Sequence, residues 1–232
     1  HTINYADAVI NSGMYELDPD FESLFGPANI QSPEHIFIVP FDEATGPNMN
    51  FGQMTFHYPS QLTYDFAEQP WNGYSSLEAF YNLYDANDAR KDAFFVEGPQ
   101  TDLNGNPILD VAFDEDDPDG APINYTPAIN ELAPNGSRQA GVRMGKFSHK
   151  VGQLSNMDND YTLLRYADVL LMKAEAVARE NANWSHPTTL MLVNMVRARA
   201  GLGDVNQLTA STFEDERAKE MFQESIRRTD QI

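Results

Sequence analysis

YTLLRYADVLLMKAEAVARE, residues 161–180, followed by LVNMVRARAGL, residues 192–202, is the stretch on which the reading of this chain turns. Apolar residues fill most positions between Tyr161 and Ala178. That density predicts a helix over 161–180 with core on most of its surface. Four charged residues interrupt it. Arg165, Asp168, Glu175 and Arg179 are spaced three, seven and four apart, which places them on one helical face. Charges on so buried a helix are costly unless paired, and Arg197 and Arg199 on the following helix are the expected partners. Even spacing in a buried context favours a structural ion-pair network over an active site.

The neighbouring sequence punctuates this pattern. Pro187 suits the first turn of a second helix over 188–200 and Gly201 its end. Ser211 with Glu214 has the spacing of a capping box for a third helix over 213–229. At the other end, Ile3, Ala6, Val9 and Ile10 have helical spacing and Gly13 is a good stop. That helix lacks a cap ahead of it and reads as truncated. Ile36–Val39 is a short apolar β run ended by Pro40. From Thr45 to Gly73, Gly, Pro, Asn and aromatic residues occur without periodicity, predicting long, ordered, irregular loops. Ser76 is placed to cap a helix through Leu77, Phe80, Tyr81 and Tyr84. Phe94–Val96 and Ile108–Val111 flank a turn in which Asn104-Gly105 is a strong hairpin signal.

Composition narrows the function classes. With 35 acidic and 15 basic residues the formal charge is −20, a surface that repels nucleic-acid phosphates and anionic lipid. The chain has no cysteine, so thiolate catalysis and thiolate metal sites are excluded within it. No apolar run approaches bilayer length, Val169–Met172 being far too short. The chain opens on His1 inside a helical pattern and reads as a fragment of a longer precursor.

The strongest chemical signal is aromatic. Phe56, Tyr58, Tyr64, Phe66, Trp71, Asn72 and Tyr74 crowd one loop region. Sugars present flat C–H faces and a rim of hydroxyls, so a protein that holds them needs exposed rings with amide or charged donors beside them. Trp71, Tyr74 and Asn72, with Tyr64 and Phe66 nearby, are the candidate ligand contacts. The alternative is that these rings plug the core beneath the loops. Asp102, Asn104, Asn106 and Asp110 echo a calcium loop, but Pro107 stands where that loop needs glycine, so a plain hairpin is expected. Asp114, Glu115, Asp116, Asp117 and Asp119 form one Pro/Gly-rich acidic run, whereas glycosidase carboxylates oppose each other across a cleft. The five histidines show no ligand spacing, and nucleophile-elbow, phosphate-loop and dinucleotide motifs are absent. No cofactor or metal is expected.

RYADVLLMKAEA, VNMVRARAGL and ERAKEMFQESIRRTDQI, in that order, resemble the C-terminal signature of the SusD/RagB family. YADAVINSGMYEL, EHIFIV and FYNLYDANDAR resemble its middle section, so the likeness runs with gaps from about Tyr5 to the last residue. The family's final helix reads close to ERR-x-EL, and here it is Glu216-Arg217-Ala218-Lys219-Glu220. The resemblance implies a mainly α, SusD-like scaffold with a TPR-type helical hairpin, long loops and a small β element. On that reading residues 1–232 are one domain fragment: a truncated helix at 1–13, a loop-rich ligand-binding region at 14–160 and a helical segment at 161–232. The implied role is that of a Bacteroidetes cell-surface lipoprotein of the outer membrane. It binds oligosaccharide without cleaving it and delivers it to a SusC-like TonB-dependent transporter, held by a lipid on a cysteine upstream of this chain. Two rivals stand beside it, a glycoside hydrolase acting on the same polymers and a helical protein-interaction module whose aromatics only pack.

Overall fold

A computed structural model of the chain describes residues 1–45, 49–110, 120–132 and 136–226. Helix α1 (Thr2–Ser12) stops where its glycine predicts. Gly13 takes φ 63°, which costs a residue without Cβ little, and its N–H reaches Ile10 O. Helix α2 (Phe21–Phe25) is capped by Asp20, whose carboxylate accepts the Glu22 N–H at 3.0 Å. Strand β1 (His35–Val39) follows as expected.

The region from Thr45 to Gly73 is less irregular than its sequence suggests. It holds α3 (Phe51–Thr55), a 3₁₀ turn at Tyr58–Ser60 and α4 (Gln61–Tyr64), each too short to show a period. Helix α5 (Glu78–Tyr81) has Leu77 at its N-cap; the Ser76 hydroxyl donates to Leu77 O at 3.3 Å and caps nothing. Helix α6 (Ala89–Phe94) is capped by Asp88. Among the described residues six two-residue strands come next: β2 (Phe95–Val96), β3 (Gly98–Pro99), β4 (Leu109–Asp110), β5 (Ala121–Pro122), β6 (Asn124–Tyr125) and β7 (Arg143–Met144). The predicted turn is present, with Gly105 at φ 82° and Asp102 accepting the Asn104 and Asn106 N–H groups at 2.8 and 2.9 Å. Its carboxylate thus caps its own turn, as the hairpin reading requires. The flanking strands pair elsewhere, β2 with β7, β3 with β6 and β4 with β5, all antiparallel.

One correction falls in the deciding stretch. Tyr161–Arg165 is a strand, β8, antiparallel to β1 with Val39 opposite Tyr161 and His35 opposite Arg165. Tyr-Thr-Leu-Leu fits a half-buried pleated surface as well as a helix, and β1 supplies an edge to pair with. Helix α7 (Tyr166–Glu180) then runs as predicted, and α8 (Pro187–Arg199) has Pro187 at its first turn and Gly201 at φ 76° beyond its end. The two form a hairpin through Leu170, Leu171, Ala174, Leu192, Val193 and Val196, all buried. The buried Thr189 hydroxyl donates to Ala174 O at 3.0 Å across it. Helix α9 (Ala210–Glu220) begins and ends earlier than expected. Thr209 and Thr212 form its capping box in place of Ser211 and Glu214, and Gln223 and Ser225 at positive φ turn the chain just after it. Thr229 lies outside the described residues. Among the described residues no helix is long and apolar enough to cross a membrane.

The charged stripe is also redistributed. Arg165, at the end of β8, donates to Glu34 at 2.6 Å, to Glu220 at 2.7 Å and to Glu224 at 2.7 Å, all of them buried. Asp168 pairs with Arg217 at 2.7 Å, and Glu175 with Arg179 forms a surface pair at 2.7 Å. Arg197 instead meets Glu216 at 2.8 Å, and Arg199 bridges Glu34 and Glu220. Arg90, fully buried, joins Asp88, Glu216 and Glu220. Burial opposes ionisation of Glu220, but Arg199, Arg165 and Arg90 outweigh it and hold its carboxyl well below the usual range. The buried Lys146 donates to Glu220 O, Phe222 O and Glu224, and desolvation pushes its pKa down to about 8 against the pull of Glu224. This network ties α6, β8, α8 and α9 together.

Candidate functional site

The aromatic loop is shaped by α3. Trp71 N–H donates to Gln53 O at 2.6 Å, Asn72 N–H to Phe56 O at 2.9 Å and Gly73 N–H to Met54 O at 2.6 Å. The Thr55 hydroxyl donates to Tyr74 O at 3.1 Å. Residues 71–74 are therefore strapped along α3 through their own backbone. Two sequence choices permit it. Asn72 sits at φ 53°, which asparagine tolerates better than most residues. A Cβ at position 73 would stand 3.0 Å from Met54 O, so glycine lets the strap close.

The strap projects the Trp71 ring outward, 50% exposed, on a fixed base. Beside it lies an open depression of about 460 Å³ lined by Tyr58, Gln69, Pro70 and Trp71. Tyr58 comes from the 3₁₀ turn and is itself braced. The His57 ring lies 4.9 Å from it, and the Arg138 guanidinium stands over its face at 6.0 Å. The Trp71 and Tyr58 rings and the amide of Gln69 thus share one shallow surface, with the Arg138 guanidinium over Tyr58. A platform fixed before the ligand arrives does not have to be ordered by binding.

The sequence-predicted residues divide. Trp71 is exposed and lines the depression. Asn72 is half-buried, its Oδ1 buried without a hydrogen-bond partner among the described residues. Tyr74 is half-buried as well, and burial pushes its phenol up to about 12 against a hydrogen bond with Gln223. Tyr64 is half-buried and stacked on Phe66, ring centroids 5.2 Å apart. Phe66 is a correction. It is 3% exposed, enclosed by Phe56, Tyr64 and His149, and offers a ligand no face. It belongs to the small core of Phe56, Ile108, Ile123 and Tyr125 on which the loop rests. His149, packed against Phe56, Tyr64 and Phe66, is driven down to about 4 by burial. Tyr58, Gln69 and Pro70 are the lining residues not singled out as ligand contacts. Tyr58 stood in the aromatic crowd, and the signal for the other two lay in Gln69-Pro70-Trp71, where a proline stiffens the approach to the exposed ring.

A serine, a histidine and an aspartate also meet, but not as a catalytic triad. His57 Nε2 lies 2.8 Å from Asp110 Oδ2 with both side chains fully buried, while the Ser60 hydroxyl bonds Tyr125 OH at 2.6 Å. Burial lowers the His57 pKa against the pull of Asp110. A nucleophile and base sealed in the core cannot reach a polymer. The acidic run Asp114, Glu115, Asp116, Asp117 and Asp119 lies outside the described residues. Among the described residues no group of three His, Asp or Glu side chains is placed to hold a metal.

Comparison with known proteins follows from this geometry. The profile of the SusD family matches residues 33–232. No curated protein matches the chain in sequence. Solved structures share its fold. Surface glycan-binding protein A from Bacteroides thetaiotaomicron, in complex with laminarihexaose, superposes with a TM-score of 0.70 at 22% identity, over 98% of this chain and 48% of that one. Surface glycan-binding protein A from Bacteroides uniformis gives 0.67 at 20% identity, over 99% of this chain and 44% of that one. A SusD superfamily protein from Parabacteroides distasonis gives 0.64 at 21% identity, over 98% and 44%. The chain spans a little under half the length of these relatives.

Proposed function

The chain belongs to the SusD family, and on that premise we propose that the protein bearing it binds an uncharged oligosaccharide at the bacterial cell surface and leaves it intact. Delivery to a SusC-like TonB-dependent transporter, and an outer-membrane location through a lipid anchor of the family's kind, are parts of the same proposal. The observation that carries it is the Trp71 ring, half exposed on a strapped backbone beside Tyr58 and Gln69. Rings stack on the C–H faces of a sugar, and the amide meets its hydroxyls. A chain of formal charge −20 offers an acidic ligand no attraction, which favours a neutral one. The relative crystallised with laminarihexaose supports an oligosaccharide as the ligand class. The shallow depression supports weak binding, micromolar to millimolar, or about −4 to −8 kcal/mol.

The test pairs binding with turnover. The intact protein is titrated calorimetrically with laminari-, malto- and cello-oligosaccharide ladders, and each mixture is assayed for new reducing ends. Saturable binding without new reducing ends is expected. Release of reducing ends would make the protein a hydrolase, and absence of binding across all three ladders would return the loop to a packing role. Asn72→Gly refines the result, because glycine keeps the positive φ while removing the amide. Retained binding in that variant would reduce Asn72 to a backbone role.

A further inference from the structure

We propose that the ligand continues from the Trp71–Tyr58 platform, past Arg138, into a second depression lined by amides and hydroxyls, so that the site takes a linear neutral oligosaccharide along its length. This rests on the reading of the Trp71 surface as an oligosaccharide site. The second depression holds about 470 Å³ and is lined by Asn124, Thr126, Asn130, Ser137 and Gln139, its other lining residues being Ala, Pro and Ile. Among the described residues no charged side chain lines it. In so acidic a chain, an uncharged polar lining suits a partner that both gives and takes hydrogen bonds and carries no charge. Ala121, Ala128 and Ala140 add only small side chains to the lining.

Arg138 links the two depressions. Arg138 stands over the Tyr58 ring at 6.0 Å on the first side, while its chain neighbours Ser137 and Gln139 line the second. A second link runs beneath the surface: His57, next to Tyr58, bonds Asp110 at 2.8 Å, and Gln139 Nε2 donates to the same Asp110 oxygen at 3.3 Å. Gln139 is held at its other end too, Oε1 accepting the Asn124 N–H at 3.0 Å. Asn130 Oδ1 accepts the Ser137 N–H at 2.8 Å. These bonds fix the walls before a ligand arrives. The Asn124 side chain is exposed and makes no hydrogen bond among the described residues, so it is the amide best placed to meet a sugar hydroxyl. Another depression, which shares Asn124 and Thr126 with this one, differs in kind: Lys91, Asp92 and Glu97 line it, and Lys91 covers the Tyr81 ring at 4.2 Å.

The test uses length. The intact protein is titrated with the same three ladders, from disaccharide to hexasaccharide, as wild type and as the Asn124→Ala and Ala128→Leu variants. Asn124→Ala removes an exposed amide, and Ala128→Leu adds apolar volume from an exposed position, so both should leave the melting temperature unchanged. In the wild type, affinity should rise with chain length. In each variant, affinity for the longest member should fall about tenfold, while affinity for the shortest member that binds stays the same. Trp71→Ala should weaken both lengths. Equal wild-type affinity for short and long chains would overturn the inference, as would unchanged long-chain affinity in both variants or an equal fall for both lengths. In those cases a Trp71→Ala loss still leaves the first site standing. Binding untouched by Trp71→Ala would remove the underlying reading and the inference with it.

Discussion

Replacing Arg165 with methionine should cost the fold more than any surface change in this chain. The guanidinium is fully buried and donates to Glu34 at 2.6 Å, Glu220 at 2.7 Å and Glu224 at 2.7 Å. It also donates to the Glu220 backbone oxygen at 2.8 Å. Methionine fills part of the volume but leaves three carboxylates in the core. Each keeps one other cation at least: Glu34 retains Arg199, Glu220 retains Arg199 and Arg90, and Glu224 retains Lys146. The cost is therefore that of breaking one side of a buried pair, about 3–5 kcal/mol, and not three such terms added. Against a typical total of about 5–15 kcal/mol that is a large share, and it should lower the melting temperature by roughly 10 °C or more at pH 7. The pH dependence gives a second handle. In the wild type, Glu220 and Glu224 titrate below the ordinary 4.5. Their stabilisation is present above that value and lost as pH falls through the lower folded values. In the variant the same acids lose a cation, their folded pKa values rise, and protonation relieves the core. The gap between the two proteins should shrink from pH 7 to pH 5. A variant melting within a degree or two of wild type at pH 7, or a gap that widens on acidification, would refute this account of the network.

Other substitutions read the same structure elsewhere. Asp168→Ala takes one partner from the mostly buried Arg217 and should cost about 1.5–3 kcal/mol in denaturant unfolding, whereas Arg179→Ala, at a surface pair, should cost under about 0.5 kcal/mol. Phe66→Ala should destabilise by about 3–5 kcal/mol through the cavity it opens in the ring cluster, measured by chemical denaturation. His149, at about 4 in the fold and 6.5 when unfolded, contributes stability that is present above pH 6.5 and lost as pH falls toward 4, on the order of 3 kcal/mol. His149→Leu should flatten that part of the stability–pH curve.

How much of this was legible depended on distance along the chain. The α7–α8 hairpin was readable because its apolar period lasts several turns and Pro187 and Gly201 punctuate it. The strand at Tyr161–Arg165 was not, since five apolar-rich residues do not separate a strand from the start of a buried helix. The partners of Arg165 were hidden for the same reason. Glu34 lies 131 residues away, and no local spacing points to it. At the candidate site the aromatic crowding was visible, but which rings face solvent was decided by backbone bonds from Trp71, Asn72 and Gly73 to α3. Those bonds run through the backbone and, beyond Asn72 and Gly73 permitting them, do not mark which ring turns outward, so Phe66 and Trp71 looked alike in sequence while one is core and the other surface.

The central claim is that a half-exposed tryptophan on a fixed backbone holds a neutral oligosaccharide. Its most direct test is a calorimetric titration of the intact protein and its Trp71→Ala variant with the best-binding oligosaccharide, beside melting curves of both. The ring makes no hydrogen bond among the described residues that the fold needs, the strap being formed by the backbone N–H, so the variant should melt as the wild type does. Its affinity should fall at least tenfold, a loss of about 1.4 kcal/mol or more. Unchanged affinity in a fully folded Trp71→Ala variant would contradict the account.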